Sequence, residues 1–203
     1  MGKHLLIAIP AFNEERNIEK VLLEATGIGD VYVFDNLSTD NTKKIAISFG
    51  SKVVAVNNKG YENVILKIVN KFLNSDYEKL IIIDGDGEVG IGSIEKVNNL
   101  LNKYDAVLGK RDSIKRWSEK LVCFLFKKFY GIEDIYVGFK GFRKSGLSKK
   151  PLRGTFATSI VNKKSKICNF EIAVQDRNDN SKLGDSVILN FKLLIGGLKG
   201  FFF

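Results

Sequence analysis

Leu80-Ile81-Ile82-Ile83-Asp84-Gly85-Asp86-Gly87-Glu88 carries the chain from four apolar residues straight into three carboxylates spaced by glycines. A short β-branched apolar run predicts a buried strand, and a polar, glycine-bearing stretch at its end predicts the loop that follows. The same arrangement recurs upstream. Leu5–Ile9 runs into Pro10-Ala11-Phe12-Asn13-Glu14, and Val31–Phe34 into Asp35-Asn36-Leu37-Ser38-Thr39-Asp40. Lys52–Val56 and Ala106–Leu108 are further strand-like runs. Between them Ile18, Val21, Leu22 and Ala25 recur at helical spacing, as do Ile94, Val97, Leu100 and Leu101. Asn13 and Ser38 stand where helix N-caps belong. Strand–helix alternation at this pitch predicts right-handed βαβ units, and hence an α/β fold with a mostly parallel central sheet flanked by helices.

The chain has 203 residues with no repeat, linker or low-complexity tract, which predicts a single domain over 1–203. Its single histidine, His4, argues against a Ser-His-Asp triad, a histidine-rich zinc site and histidine general-base catalysis. Cys123 and Cys168 form neither a CxxC pair nor a disulfide framework. Chemistry must then rest on carboxylates, cations, hydroxyls and amides. The net charge of +9 lies wholly in residues 110–153, which hold thirteen Lys/Arg against four Asp/Glu. So concentrated an excess points to an anionic partner, whereas a solvated helix face rimmed with lysines is the plainer alternative. The charge boundary thus divides the chain into 1–109 and 110–203, the second carrying the basic segment.

In an open parallel sheet, ligands bind beyond the carboxyl ends of the strands, so the three polar clusters should converge on one cleft. Helix capping accounts for Asn13 and Ser38 but gives Asp84, Asp86 and Glu88 no purpose. In extended chain those three alternate and could share one side. Carboxylates so close repel unless a cation lies among them. A hard divalent ion, Mg²⁺ or Mn²⁺, fits, and such ions complete their shell with substrate phosphates.

Together the clusters resemble the family 2 glycosyltransferases of the GT-A fold, and within them the dolichyl- or polyprenyl-phosphate sugar synthase branch. Ile9–Glu14 is similar to that family's opening motif, Val33–Thr42 to its second, and Asp84-Gly85-Asp86 to its metal-binding DxD. Gly109-Lys110-Arg111, Asp134–Phe139 and Gly138-Phe139-Lys140 resemble later signatures. The likeness implies a Rossmann-like GT-A domain and a metal-dependent, inverting enzyme that uses a UDP- or GDP-sugar, with 1–109 as its nucleotide-sugar and metal-binding half and 110–203 as its acceptor-binding half. Pro10, Phe12, Asn13 and Glu14 would line the nucleotide pocket, with Asp35 or Asn36 reading the base. Asp84, Asp86 and Glu88 would hold the metal, and Arg111 and Arg116 would hold phosphate oxygens. Asn36 and Leu37 replace a usual acid and glycine, and the late motif, here Ser181–Val187, lacks both its cations, with Lys182 or Arg177 as stand-ins. The glutamate usual upstream of it is also missing, with Thr158 near its place.

The acceptor has two readings. A sugar hydroxyl needs a carboxylate base, and Asp134 is the candidate. A lipid phosphate is already anionic and needs cations instead, in which case Asp134 orients loops or pairs with an arginine. The basic segment, the aromatic-rich stretch Leu121–Tyr130 and the tail Val187–Phe203 suit the lipid phosphate and a peripheral membrane contact, although a tail packed on the core has the same pattern. No secretory signal or span-length apolar run is visible, so the expected location is cytoplasmic, at the membrane face. Nucleic acid is not an expected partner, because it leaves the carboxylates without a role. A nucleotidyltransferase would want a glycine or lysine in Pro10–Arg16, which has neither. An inactive nucleotide-sugar-binding relative stays open.

Overall fold

The computed structural model describes residues 4–87, 92–114, 116–148, 161–162, 164–172 and 187–202. Seven strands form one sheet: β1 (Leu5–Ala11), β2 (Asp30–Asp35), β3 (Lys52–Ala55), β4 (Lys79–Ile83), β5 (Ala106–Lys110), β6 (Phe139–Arg143) and β7 (Ile167–Glu171). The order is β3-β2-β1-β4-β6-β5-β7. All pairings are parallel except those of β6, which runs antiparallel to both β4 and β5. The sheet therefore crosses the 109/110 division, which falls inside β5.

Helices α1 (Ile18–Ala25), α2 (Thr42–Ser48), α3 (Tyr61–Leu73), α4 (Ser93–Leu100), α5 (Trp117–Tyr130) and α6 (Val187–Phe202) complete the fold. The central strands β1 and, after Lys79, β4 are apolar because both faces are covered. Leu6 and Ala8 of β1 join Val64, Ile68 and Phe72 of α3 and Val122 and Phe126 of α5. Ile7 and Ile9, one residue out of phase, join Ile18 and Leu22 of α1 and Ile94 and Val97 of α4. Fully burying each such side chain contributes about 1.5–3 kcal/mol.

The five apolar runs of the sequence all form strands, with ends shifted by a residue or two. Strands β6 and β7 and helix α3 were not foreseen. Asn13 and Ser38 do not cap helices. The helices begin later, after Asn17 and Asn41, neither of which makes a side-chain cap bond.

Strand β6 reaches the centre of the sheet through Gly141. A Cβ there would lie 2.6 Å from Val97 Cγ1 and 3.1 Å from Leu101 Cδ1, so the strand backbone is packed directly under α4. Gly141→Ala should lower the unfolding free energy by about 1–3 kcal/mol through overpacking. Urea titration checks this, and an unchanged midpoint would mean that α4 moves aside at no cost.

Candidate active site

The first two strand-end loops are laced together. Ser38 Oγ accepts the Asn13 N–H at 3.0 Å, while Asn13 Oδ1 accepts the Thr39 N–H at 2.8 Å. Further along, Thr42 Oγ1 accepts the Glu14 N–H, Asp40 Oδ2 the Glu15 N–H, and Glu15 Oε2 the Asn41 N–H. The side chains that were expected to cap helices thus join two loops instead. Asn13 and Leu37 both take positive φ, 54° and 66°. Leu37 keeps the turn that a glycine would make without strain. Phe12 is partly exposed, with Lys59 Nζ 5.8 Å from its ring centroid, and Pro10 is buried.

The third cluster joins the first two at β4. The Gly85 N–H donates to Pro10 O at 3.2 Å, and the Asn36 N–H to Ala11 O at 2.9 Å. Pro10, Phe12, Asn13, Glu14, Asp35, Asn36, Asp84 and Asp86 are therefore gathered at one end of the sheet. Asp84 is tightly held: Tyr61 Oη donates to its Oδ1 at 3.0 Å, and its N–H donates to Gly138 O at 3.1 Å. A Cβ on Gly138 would overlap the Asp84 carboxylate. Burial, with the charge of Asp84, holds the Tyr61 phenol well above its usual pKa, so it stays a proton donor. Asp86 is buried one turn further on. The chain turns at Gly85 and Asp86, so the extended alternation expected from the sequence is not what joins these carboxylates. Glu88 lies outside the described residues.

Among the described residues no group of three or more acidic, histidine or cysteine side chains could hold a metal alone. Two hard carboxylates at the mouth of a strand nonetheless fit a Mg²⁺ or Mn²⁺ ion, which takes one or two protein carboxylates and completes its shell from substrate phosphates. The cradle formed by Gly138 and Tyr61 around Asp84 supports that fit.

Asp35 and Asn36, the two candidate base readers, differ in what they have left to offer. Asp35 is buried, with Oδ2 near Lys43 Nζ (3.3 Å) and the Ser38 N–H (3.3 Å). Its Oδ1 has no hydrogen-bond partner among the described residues. Asn36 has instead bonded both ends of its amide within the protein, to Val56 O, Asn58 O and the Gly60 N–H.

The second half contributes a buried ion network. Arg111, at the end of β5, reaches Asp134 through two bonds, Nε to Oδ2 at 2.7 Å and Nη2 to Oδ1 at 3.0 Å. The same Nη2 donates to Glu119 at 2.8 Å, and Arg116 Nη1 donates to the other oxygen of Glu119 at 3.0 Å. Asp134 has no solvent exposure and Glu119 little. Burial opposes the Arg111 charge, but its bonds to Asp134 and Glu119 outweigh that and raise its pKa. Lys140, on β6, is buried beside this network and donates to Val137 O. Burial brings its ammonium down to about 8, against the pull of Asp84 and Asp134. Much of the basic segment is therefore spent internally, with Lys110 on Glu133 and Glu171, and Lys127 on Glu133.

Tyr61 has no place in the sequence reading, and Lys140 appears there only within the late signature Gly138-Phe139-Lys140, without a role. The pattern Val64, Ile65, Ile68, Val69, Phe72 marks α3 and would have set Tyr61 at its start. Nothing local marks Lys140. Thr158, Arg177, Lys182 and the rest of the late motif up to Ser186 lie outside the described residues.

Residues 6–120, more than half of the chain, match the family described as glycosyl transferase family 2. Protein RfbJ of Shigella flexneri is 35% identical over 113 residues, which cover 53% of this chain and 85% of RfbJ. Glycosyltransferase AglJ of Haloferax volcanii is 26% identical over 152 residues, 68% of this chain and half of AglJ. Among solved structures, glucosyl-3-phosphoglycerate synthase from Mycobacterium tuberculosis, crystallised with Mn²⁺, UDP and glucosyl-3-phosphoglycerate, matches with a TM-score of 0.75 at 16% identity. That match covers 98% of this chain and 80% of the synthase. At such identity it speaks for the fold alone. With the sequence match spanning more than half its length, the chain belongs to glycosyl transferase family 2.

Proposed function

We propose that the chain moves a sugar from a UDP-sugar to an acceptor phosphate at a membrane surface, with Mg²⁺ or Mn²⁺ held by Asp84 and Asp86. The observation that carries this reading is the Asp84 carboxylate, fixed by Tyr61 and Gly138 at the strand end where the first two loops meet. A divalent cation there would neutralise charge developing on the leaving diphosphate. The residues of this chain bind and orient. Phe12 and the laced loops support the nucleoside, and Asp35 Oδ1, buried without a partner among the described residues, suits one N–H of a base. A uracil imide offers a single N–H, whereas guanine offers a ring N–H and an amino group. The UDP in the Mycobacterium tuberculosis synthase crystals agrees with that choice. Displacement in line at the anomeric carbon would invert its configuration.

Asp134 bears on the acceptor. Its oxygens are taken by Arg111 and the Tyr136 N–H, and it is closed to solvent, which leaves it poorly suited to remove a proton from a hydroxyl. An acceptor that arrives anionic needs no base. A membrane-seated acceptor is favoured by one surface. Trp117, Leu121 and Phe124 project from α5 at i, i+4 and i+7, and Phe124 is 62% exposed. Phe191 and Ile195 of α6 extend the same apolar ridge, with the rings of Trp117 and Phe191 6.1 Å apart. Exposed Lys120 and Lys128 flank it. Each lysine near an anionic surface contributes about 1 kcal/mol. No helix among the described residues is long and apolar enough to cross a membrane, so such a contact would be peripheral. A small phosphate-bearing acceptor is the second reading, favoured by the phosphoglyceric acid bound in crystals of the structural neighbour.

Asp86→Asn should cut transfer from UDP-sugars with Mn²⁺ by about 100-fold or more while the circular dichroism spectrum stays unchanged, since one of two metal carboxylates is lost. Near-normal turnover would sink the metal assignment. Asp134→Asn should cost about 1.5–3 kcal/mol of stability by removing one of the two carboxylates that Arg111 bonds, while Glu119 keeps the other. A stable Asp134→Asn protein whose rate profile merely loses an ionisation would instead make Asp134 the base. In co-sedimentation at low salt, the protein should pellet with phosphatidylglycerol vesicles, and Phe124→Ser with Phe191→Ser should release it. A wild-type protein left in the supernatant would hand the lead to the small acceptor.

A further inference from the structure

The geometry points to Asn36 and Tyr61 as a linked pair of positioning residues that set the Asp84 carboxylate for its metal, an inference that rests on the metal reading above. The amide of Asn36 is used completely on one loop. Its Nδ2 donates to Val56 O and Asn58 O, both at 2.9 Å, and its Oδ1 accepts the Gly60 N–H at 2.8 Å. Only an amide does this. A carboxylate has acceptors and no donor, so an aspartate at 36 would face two carbonyl oxygens without a proton to offer. The asparagine that departs from the usual acid is thus accounted for by the loop it ties.

That loop ends at Gly60, whose φ of 120° is a conformation that side-chain-bearing residues rarely adopt. Space is not the reason for the glycine, since an added Cβ would come no closer than 3.8 Å to Asn63 Nδ2. The backbone angle is the reason: it turns the chain from the loop into α3. The next residue, Tyr61, places its hydroxyl 3.0 Å from Asp84 Oδ1. The path from the end of β2 to the end of β4 is therefore continuous: Asn36, the 56–60 loop, Gly60, Tyr61, Asp84. Gly138 confines the same carboxylate from the other side. Groups that orient a metal ligand without touching the metal are commonly worth 10–100-fold in metal affinity.

The test measures Mn²⁺ binding by electron paramagnetic resonance with saturating UDP, and UDP binding separately in EDTA. Tyr61→Phe should weaken Mn²⁺ binding about 10-fold or more and leave metal-free UDP binding unchanged. Asn36→Asp should do the same, and the double variant should be no worse than the poorer single one, because Asn36 acts through Tyr61. Should Asn36→Asp fail to fold, Gly60→Ala replaces it in the cycle, since it perturbs the link through the backbone alone. Wild-type Mn²⁺ affinity in Tyr61→Phe overturns the inference. So does an Asn36→Asp protein that loses UDP in EDTA and keeps Mn²⁺ affinity, which would make Asn36 a base reader. Asp86→Asn in the same assay separates the two levels. If it keeps Mn²⁺, the metal reading itself falls. If it loses Mn²⁺ while Tyr61→Phe does not, only the positioning role falls.

Discussion

The organisation of the second half depends on one buried ion pair. Asp134 cannot leave water cheaply as an anion, and Arg111 cannot be neutralised. The fully buried Asp134 is tolerable as an anion because Arg111 meets it with two bonds of 2.7 and 3.0 Å, and Arg111 is shared with Glu119. The consequence is structural before it is chemical. Arg111 comes from the end of β5, Asp134 from the segment leading into β6, and Glu119 from α5, so one charge network fixes three elements together. The Tyr136 N–H completes Asp134 and sets the approach to Gly138, the residue that leaves room for Asp84. The second half of the chain thereby helps to shape the surroundings of Asp84.

The first half relies on a different device. Two loops from neighbouring parallel strands exchange backbone N–H groups for each other's side-chain oxygens, at Asn13 with Ser38 and Thr39, and again at Glu14, Glu15, Asp40, Asn41 and Thr42. Bonds of this kind fix the loops relative to one another, and the positive φ angles of Asn13 and Leu37 are maintained by that mutual restraint. Preorganisation would suit the polyanionic donor proposed above, because loops already in place lose little entropy on binding.

The parallel part of the sheet was legible because its strands are covered on both sides, so burial writes itself into the sequence as unbroken apolar runs. Strand β6 is equally central, yet its Phe139-Lys140-Gly141-Phe142-Arg143 carries a lysine whose burial is offset by Asp84 just past β4, by Asp134 in the segment before β6 and by the Val137 carbonyl. No local pattern encodes so distant a compensation. Strand β7 is half-buried at an edge and short. The gathering of the three strand-end clusters followed from topology alone. What escaped was division of labour within them: Asn13 and Ser38 fit the chemistry of caps, and only the loop lengths send them elsewhere. Asp134 had two roles open to it in the sequence, and its pairing with Arg111 shows only once the fold brings the two together. Tyr61 was missed because a tyrosine at a helix start advertises nothing until its neighbour across the cleft is known.

The insertion of β6 between β4 and β5 has a consequence for the birth of the protein. Strands β1 to β4 are complete once residue 83 has been made, but β4 then forms a sheet edge whose Leu80–Ile83 are all apolar, with Lys79 at its start as the one charge in the strand to discourage other chains. Its natural partner is Phe139–Phe142, which the ribosome has yet to deliver. At roughly 5–20 residues per second the nascent chain spends several seconds in that state. A cell that makes this protein must therefore shelter an unfinished edge during synthesis, and refolding from denaturant must close the same long loop without such help.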